Sequence, residues 1–119
     1  MRMENRADAG MRGEEIAVEH LRGLGMEILE RNYHFAHGEI DIIARDGEVL
    51  VFCEVKTRKS DRYGDPEYAV TPRKRLQIRR IAQGYLYEHA LATQACRFDV
   101  VAIRMMGNAP VVNYISNAF

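Results

Sequence analysis

The chain has 119 residues, 47% of them hydrophobic, with 17 Lys plus Arg balanced by 17 Asp plus Glu. That length and apolar content suit one domain with a single filled core, and the longest unbroken apolar run, Val49 to Cys53, is far short of the roughly 18 residues a membrane span needs. Cys53 and Cys96 have no paired spacing, which argues against a disulfide framework or a zinc cluster, and the opening MRMENRADAG has no apolar stretch resembling a signal peptide, so the expected location is the cytoplasm.

Taken in chain order, residues 1–12 read as a flexible N-terminal segment ahead of a single domain over 13–119. A helix is predicted from Gly13 to about Leu24: at 100° per residue Ile16, Ala17, Val18, Leu21 and Leu24 share one face, and Glu15, Glu19 and Arg22 lie opposite. Glu14 breaks that division, because it precedes Ala17, Val18 and Leu21 by three, four and seven residues and so points to the apolar side. A carboxylate there is favoured by the helix dipole or belongs to a site.

MEILERNYHF, from Met26, is predicted as a first strand. Two further strands form a hairpin around Asp46-Gly47, a two-residue turn signal. After a polar loop with Gly64 and Pro66, Thr71 suits an N-cap and Pro72 a first helical position, which starts a second helix running to about Ala90. Its Leu76, Ile81, Ala82, Tyr85, Leu86 and His89 tend to one side. Phe98 to Ile103 and Val111 to Ile115 complete the chain as strands. The order α-β-β-β-α-β-β calls for a mixed sheet flanked by helices.

The neutral total hides a block asymmetry. Residues 1–55 hold 12 acids and 6 bases, residues 56–80 hold 3 acids and 9 bases, and the rest is balanced. The basic block reads either as a solvated face or as a phosphate-binding surface.

Strand alternation puts Glu39, Asp41 and Ile43 on one face, and Phe52, Glu54, Lys56 and Arg58 on one face of the next strand. With Asp46-Gly47 as the turn, paired residues sum to 93. Glu39 then stands opposite Glu54, Asp41 lies diagonal to Glu54, and all the acids share a face. Clustered carboxylates repel unless a cation or Lys56 compensates them, and hard oxygen ligands suit Mg²⁺ or Mn²⁺. A cation there would polarise a phosphoryl oxygen and acidify a water, with Lys56 stabilising developing charge, which is the chemistry of phosphodiester hydrolysis. Ile40, Ile42, Ala44, Val51, Cys53 and Val55 form the opposite, apolar face.

GEID at 38–41 followed by EVK at 54–56 resembles the active-site signature of the PD-(D/E)XK nuclease superfamily, whose helix, three strands, helix and strand match the predicted order. More narrowly, GEE at 13–15, RN at 31–32, GEIDIIARD, VFCEVKTRKS, RFDVVAI at 97–103 and the ending ISNAF resemble the bacterial YraN-like family, related in fold to archaeal Holliday junction resolvases. The resemblance implies a restriction-endonuclease-like α/β core with Asp41, Glu54 and the Val55 carbonyl as metal ligands. It implies Lys56 as the catalytic lysine and Glu14 as a first-helix glutamate joining the site; Glu39 completes the acidic cluster. The superfamily's Pro-Asp stands here as Ile40-Asp41.

Arg58, Lys59, Arg62, Arg73 and Lys74 are candidate phosphate contacts, and Tyr63 is a candidate for stacking on an exposed base. The expected function is Mg²⁺- or Mn²⁺-dependent endonucleolytic cleavage of structured DNA, with RNA left open in its place and no membrane partner. The alternatives are a non-catalytic nucleic-acid-binding module on the same scaffold and a protein-interaction domain using the apolar tail. A homodimer is expected only by analogy with resolvases acting on a two-fold junction.

Overall fold

The computed structural model describes residues 6–58, 70–106 and 109–119, with side chains from Arg12 to Arg58, from Val70 to Arg104 and from Ala109 to Phe119. Two helices, α1 (Arg6–Gly23) and α2 (Pro72–Glu88), flank one five-stranded sheet of β1 (Glu27–Phe35), β2 (Gly38–Asp46), β3 (Val49–Arg58), β4 (Cys96–Met106) and β5 (Ala109–Ile115). The strands lie in the order β1-β2-β3-β4-β5, antiparallel except for the parallel β3–β4 pair that α2 connects. This is the mixed α/β order expected from sequence, and it matches a restriction-endonuclease-like core.

Each helix covers one face of the sheet. Ala17, Val18 and Leu21 of α1 pack on Ile42, Ala44, Val51, Cys53, Val101 and Ile103, while Ile78, Ile81, Ala82 and Tyr85 of α2 pack on Ile43, Leu50, Phe52 and Val100. Cys53 is core, and burial pushes its thiol pKa up, so it is an unreactive packing residue.

Three details of the helices differ from the sequence expectation. α1 begins at Arg6 rather than Gly13. Gly13 is instead a crossing point: a Cβ there would stand 2.0 Å from Thr57 Oγ1, so only glycine lets α1 lie this close to β3. Leu24 lies beyond the helix end and is 53% exposed. In α2, Leu76 is exposed and Ile78 takes its place in the core, because the buried stripe runs Ile78, Ile81, Ala82, Tyr85 at helical spacing and Leu76 projects away from it. Thr71 and Pro72 start α2 as expected: Thr71 Oγ1 accepts from the Lys74 N–H at 3.2 Å.

The β2–β3 turn is Gly47-Glu48, one residue later than expected, with Asp46 paired to Val49. Gly47 takes φ +62°, which suits the glycine-first position of a type II′ turn. Paired residues therefore sum to 95, as in Ile43↔Phe52, rather than 93.

One fully buried charge ties the C-terminal strands together. Asp99 on β4 accepts from Arg97 Nε at 3.2 Å, from the Tyr114 hydroxyl and from the Asn117 N–H at 2.8 Å, and Arg97 Nη2 also reaches Asp46 at 2.9 Å. Burial, then the hydrogen bond to Asp99, pushes the Tyr114 pKa up to about 12. The ISNAF ending thus belongs to the fold: Asn117 satisfies Asp99, the Ala118 N–H donates to the Phe98 carbonyl at 2.7 Å, and the Phe119 ring stacks on Phe98.

Asp99→Ala strands Arg97 and the Tyr114 hydroxyl without their shared acceptor and is expected to cost about 3–5 kcal/mol in urea unfolding. Gly13→Ala is expected to cost about 1–3 kcal/mol, and adding Thr57→Ala should recover part of that loss by removing the clashing oxygen. Independent, additive losses in the double variant would place α1 elsewhere.

A carboxylate pair at a strand fork

The β2–β3 ladder runs from Asp46↔Val49 to Ile42↔Cys53 and ends there, although β2 continues to pair with β1 as far as Gly38 and β3 with β4 as far as Arg58. Beyond Ile42 the two strands part. At the same place the alternation of β2 slips, so that Ile40 joins Ile43 on the α2 side while Ile42 faces α1; the expectation that Ile40 shares the α1-side face is corrected accordingly.

Asp41 sits in the fork. Its Oδ2 accepts the Val55 N–H at 2.8 Å, replacing the main-chain partner that the parted ladder no longer supplies. Its carboxyl also stands within hydrogen-bonding reach of Glu54. Burial first, and then the hydrogen bond and negative charge of Glu54, push the Asp41 pKa up to about 8. Beside Glu54, Asp41 therefore holds its proton more tightly than an ordinary carboxyl group.

Glu54, with a side chain only 12% exposed, lies 3.7 Å from Lys74 Nζ in the first turn of α2. Lys56 shares the Glu54 face of β3 by alternation, and Thr57 between Lys56 and Arg58 meets Gly13 of α1 on the other face.

Glu14 approaches from α1. It is half-buried, accepts from Asn32 Nδ2 at 3.2 Å, and has its pKa raised by burial and then by the negative charge of Asp41. Asn32 holds this position from a left-handed conformation, φ 52°, within β1, a backbone state that asparagine tolerates better than most residues. The neighbouring Arg31 pairs with Glu15 at 2.9 Å. Asn32 is thus a positioning residue that side-chain type alone did not reveal; its signal in the sequence was only the RN pair.

Not every expected residue converges. With pairs summing to 95, Glu39 does not stand opposite Glu54; it lies across from His34 on β1 and pairs with it at 3.0 Å. Asp41, rather than Glu39, is the acid whose carboxyl group meets Glu54. Among the described residues no group of three or more His, Cys, Asp or Glu side chains is close enough to hold a metal ion, so the four-acid cluster expected from sequence reduces to the Asp41–Glu54 pair with Glu14 nearby.

The donor set still suits a hard cation. The two carboxyl groups lie together, and in an extended strand the carbonyl of a residue points to the same side as its N–H, so the Val55 carbonyl also opens into the fork.

The basic residues divide. Arg58 is exposed at the end of β3, and Arg73 and Lys74 open α2. Lys59, Arg62 and Tyr63 lie outside the described residues. No described helix is long and apolar enough to cross a membrane.

Comparison with known proteins places these features in a wider group. The profile of "Uncharacterised protein family UPF0102" matches residues 13–103. A UPF0102 protein of Geotalea daltonii is 49% identical over 123 aligned residues, covering 100% of this chain and 97% of that protein. Similar proteins include those of Frankia casuarinae, 47% identical over 92% of this chain and 94% of its own, and of Geobacter sulfurreducens, 45% identical over 92% and 87%. The match spans α1, the fork and β4, and the chain belongs to the uncharacterised protein family UPF0102.

Proposed function

We propose that the protein is a metal-dependent endonuclease of the PD-(D/E)XK type that cuts structured DNA. The observation that carries this reading is the Asp41–Glu54 carboxylate pair, held half-buried at an opened strand fork where two like charges stabilise nothing unless a cation joins them. Asp41, Glu54 and the Val55 carbonyl would hold Mg²⁺ or Mn²⁺. Such an ion supplies polarisation of the scissile phosphoryl group and a more acidic water.

The remaining roles fall to side chains of this chain. The Val55 N–H fixes the Asp41 carboxylate, so its orientation is set before any ligand arrives. Lys56, on the Glu54 face, would orient the attacking water and stabilise the charge that builds on the phosphate. Glu14, steadied by Asn32, would hold a proton or a water at the edge of the site. Lys74 neutralises part of the Glu54 charge and would meet an incoming phosphate beside it. Arg58 and Arg73 would add sequence-independent phosphate contacts. A homodimer would place two such forks on the two arms of a branched substrate.

The experiment compares branched, flapped, single-stranded and duplex DNA with Mg²⁺, Mn²⁺ and EDTA. Cleavage is expected with either metal and not with EDTA, and Asp41→Ala or Lys56→Ala should lower the rate by about 100-fold or more. If the native protein cuts none of these substrates while salt-sensitive binding survives, the non-catalytic binding module is the correct reading.

A second prediction needs no activity. Folded Asp41 keeps its proton up to about pH 8, whereas in the unfolded chain the group releases it near its ordinary value of 3.8. The folded state therefore binds the extra proton between these limits, and stability in EDTA should fall as pH rises through that window. Asp41→Asn, which can accept from Val55 and donate to Glu54 without a charge, should flatten the decline and raise stability at pH 8 by roughly 1–3 kcal/mol. Mg²⁺ should raise the thermal midpoint of the native protein at pH 8 and leave that of Asp41→Asn nearly unchanged. Equal shifts in both would place the ion elsewhere.

A further inference from the structure

The five basic residues of α2 divide by what they touch. Arg75 donates from Nε to the Val70 carbonyl at 2.8 Å and lies 5.8 Å from the Phe119 ring centre; Arg79 stacks over Phe98 at 4.7 Å and also faces Phe119 at 5.9 Å. These two guanidinium groups seat the C-terminal tail against the helix. Arg73 and Arg80 have no ion pair among the described residues. With Thr71, Lys74, Leu76 and Gln77 they line an open groove of about 630 Å³ on the outer face of α2.

The spacing of this groove is regular. Arg73, Leu76, Gln77 and Arg80 are three, four and seven residues apart and so fall on one helical stripe, with the two arginines about 10 Å apart along the axis. Leu76 is 58% exposed between them. A large apolar side chain framed by guanidinium, ammonium, hydroxyl and amide groups matches a sugar–phosphate strand, in which charged oxygens alternate with an apolar sugar. The helix has one acid, Glu88, and it lies at the far end, bonded to the Tyr33 hydroxyl at 2.8 Å. Nothing anionic in α2 itself opposes a phosphate at the groove. Lys74 belongs both to the groove and, through its 3.7 Å contact with Glu54, to the carboxylate pair.

We infer that the outer face of α2, through Arg73, Leu76, Gln77 and Arg80, is the track along which a DNA backbone runs to the carboxylate pair, with Lys74 as the joint between them. This rests on the nuclease reading for its destination. It goes beyond that reading by separating Arg73 and Arg80, which bind the strand, from Arg75 and Arg79, which hold the fold. Contact is to phosphate and sugar, so it carries no base preference.

The test measures binding in EDTA, where no cleavage occurs, by the anisotropy of a labelled oligonucleotide across a salt series, with single-stranded and duplex arms. Arg73→Ala and Arg80→Ala should each reduce the slope of log affinity against log salt by about 1, and the double variant by about 2. Leu76→Ser should weaken binding and keep the slope. Arg79→Ala should lower the thermal midpoint and leave the slope as it is. An unchanged slope in the Arg73→Ala/Arg80→Ala double variant overturns the track, as does a slope loss in Arg79→Ala equal to that in Arg80→Ala. Cleavage by the native protein in Mn²⁺ is scored separately. Cleavage with unchanged slopes defeats the track and keeps the nuclease, slope losses without cleavage do the reverse, and a native protein that neither binds nor cuts DNA defeats both.

Discussion

The hydrogen bond from the Val55 N–H to the Asp41 carboxylate stands where a main-chain bond would otherwise continue the β2–β3 ladder. Without some acceptor at that point a strand N–H would be left unsatisfied in a half-buried fork, which costs about 1–3 kcal/mol. Asp41 supplies the acceptor, and in doing so it is drawn toward Glu54. Opening the strands, satisfying the backbone and bringing two carboxylates together are therefore one event. The position of Lys56 follows by alternation along β3, and that of Lys74 follows from where Thr71 and Pro72 start α2.

Two aspartates show why one of them reads as a site and the other as a fastener. Asp99 is wholly inaccessible, yet it accepts from a guanidinium, a hydroxyl and a backbone N–H, so its charge is compensated in place. Asp41 is less buried but receives one backbone N–H, faces a second carboxylate and holds its proton to about pH 8. Structure built for stability compensates a buried charge with donors, as β4 does for Asp99. A carboxylate left beside another carboxylate has unfinished coordination, and that deficit is what a cation would complete.

Much of this was legible because of parity. The turn lies one residue later than sequence suggests, which changes the sum of paired residues by two; a shift of two preserves which face each side chain occupies along the ladder from Val49 to Cys53, and beyond it, where the alternation of β2 slips, Asp41 meets Glu54 through the open fork. The same shift separates Glu39 from Glu54, so the acid expected directly opposite is the one that leaves. Periodicity found the helices, but it could not show that Gly13 is fixed by contact with Thr57 and not by a helix start, or that Leu76 stands outside the stripe that Ile78 completes. Asn32 was invisible for a different reason. Its role depends on a left-handed backbone in the middle of a strand, a tertiary choice with no counterpart in side-chain pattern.

The balanced net charge is resolved by placement. Asp41 and Glu54 lie inside the fork, where Asp41 tends to keep its proton and Lys74 stands 3.7 Å from Glu54, whereas Arg73 and Arg80 line the outer groove of α2. In physiological salt, charges more than about 8 Å away are largely screened, so an approaching phosphate responds to local exposed charge more than to the total. A neutral chain can thus offer a basic track and an acidic end point, provided the end point is neutralised at the moment a phosphate reaches it. Proton, ammonium and divalent cation are three ways of meeting that condition at one place, and of the three a divalent cation is the one that also polarises the phosphate.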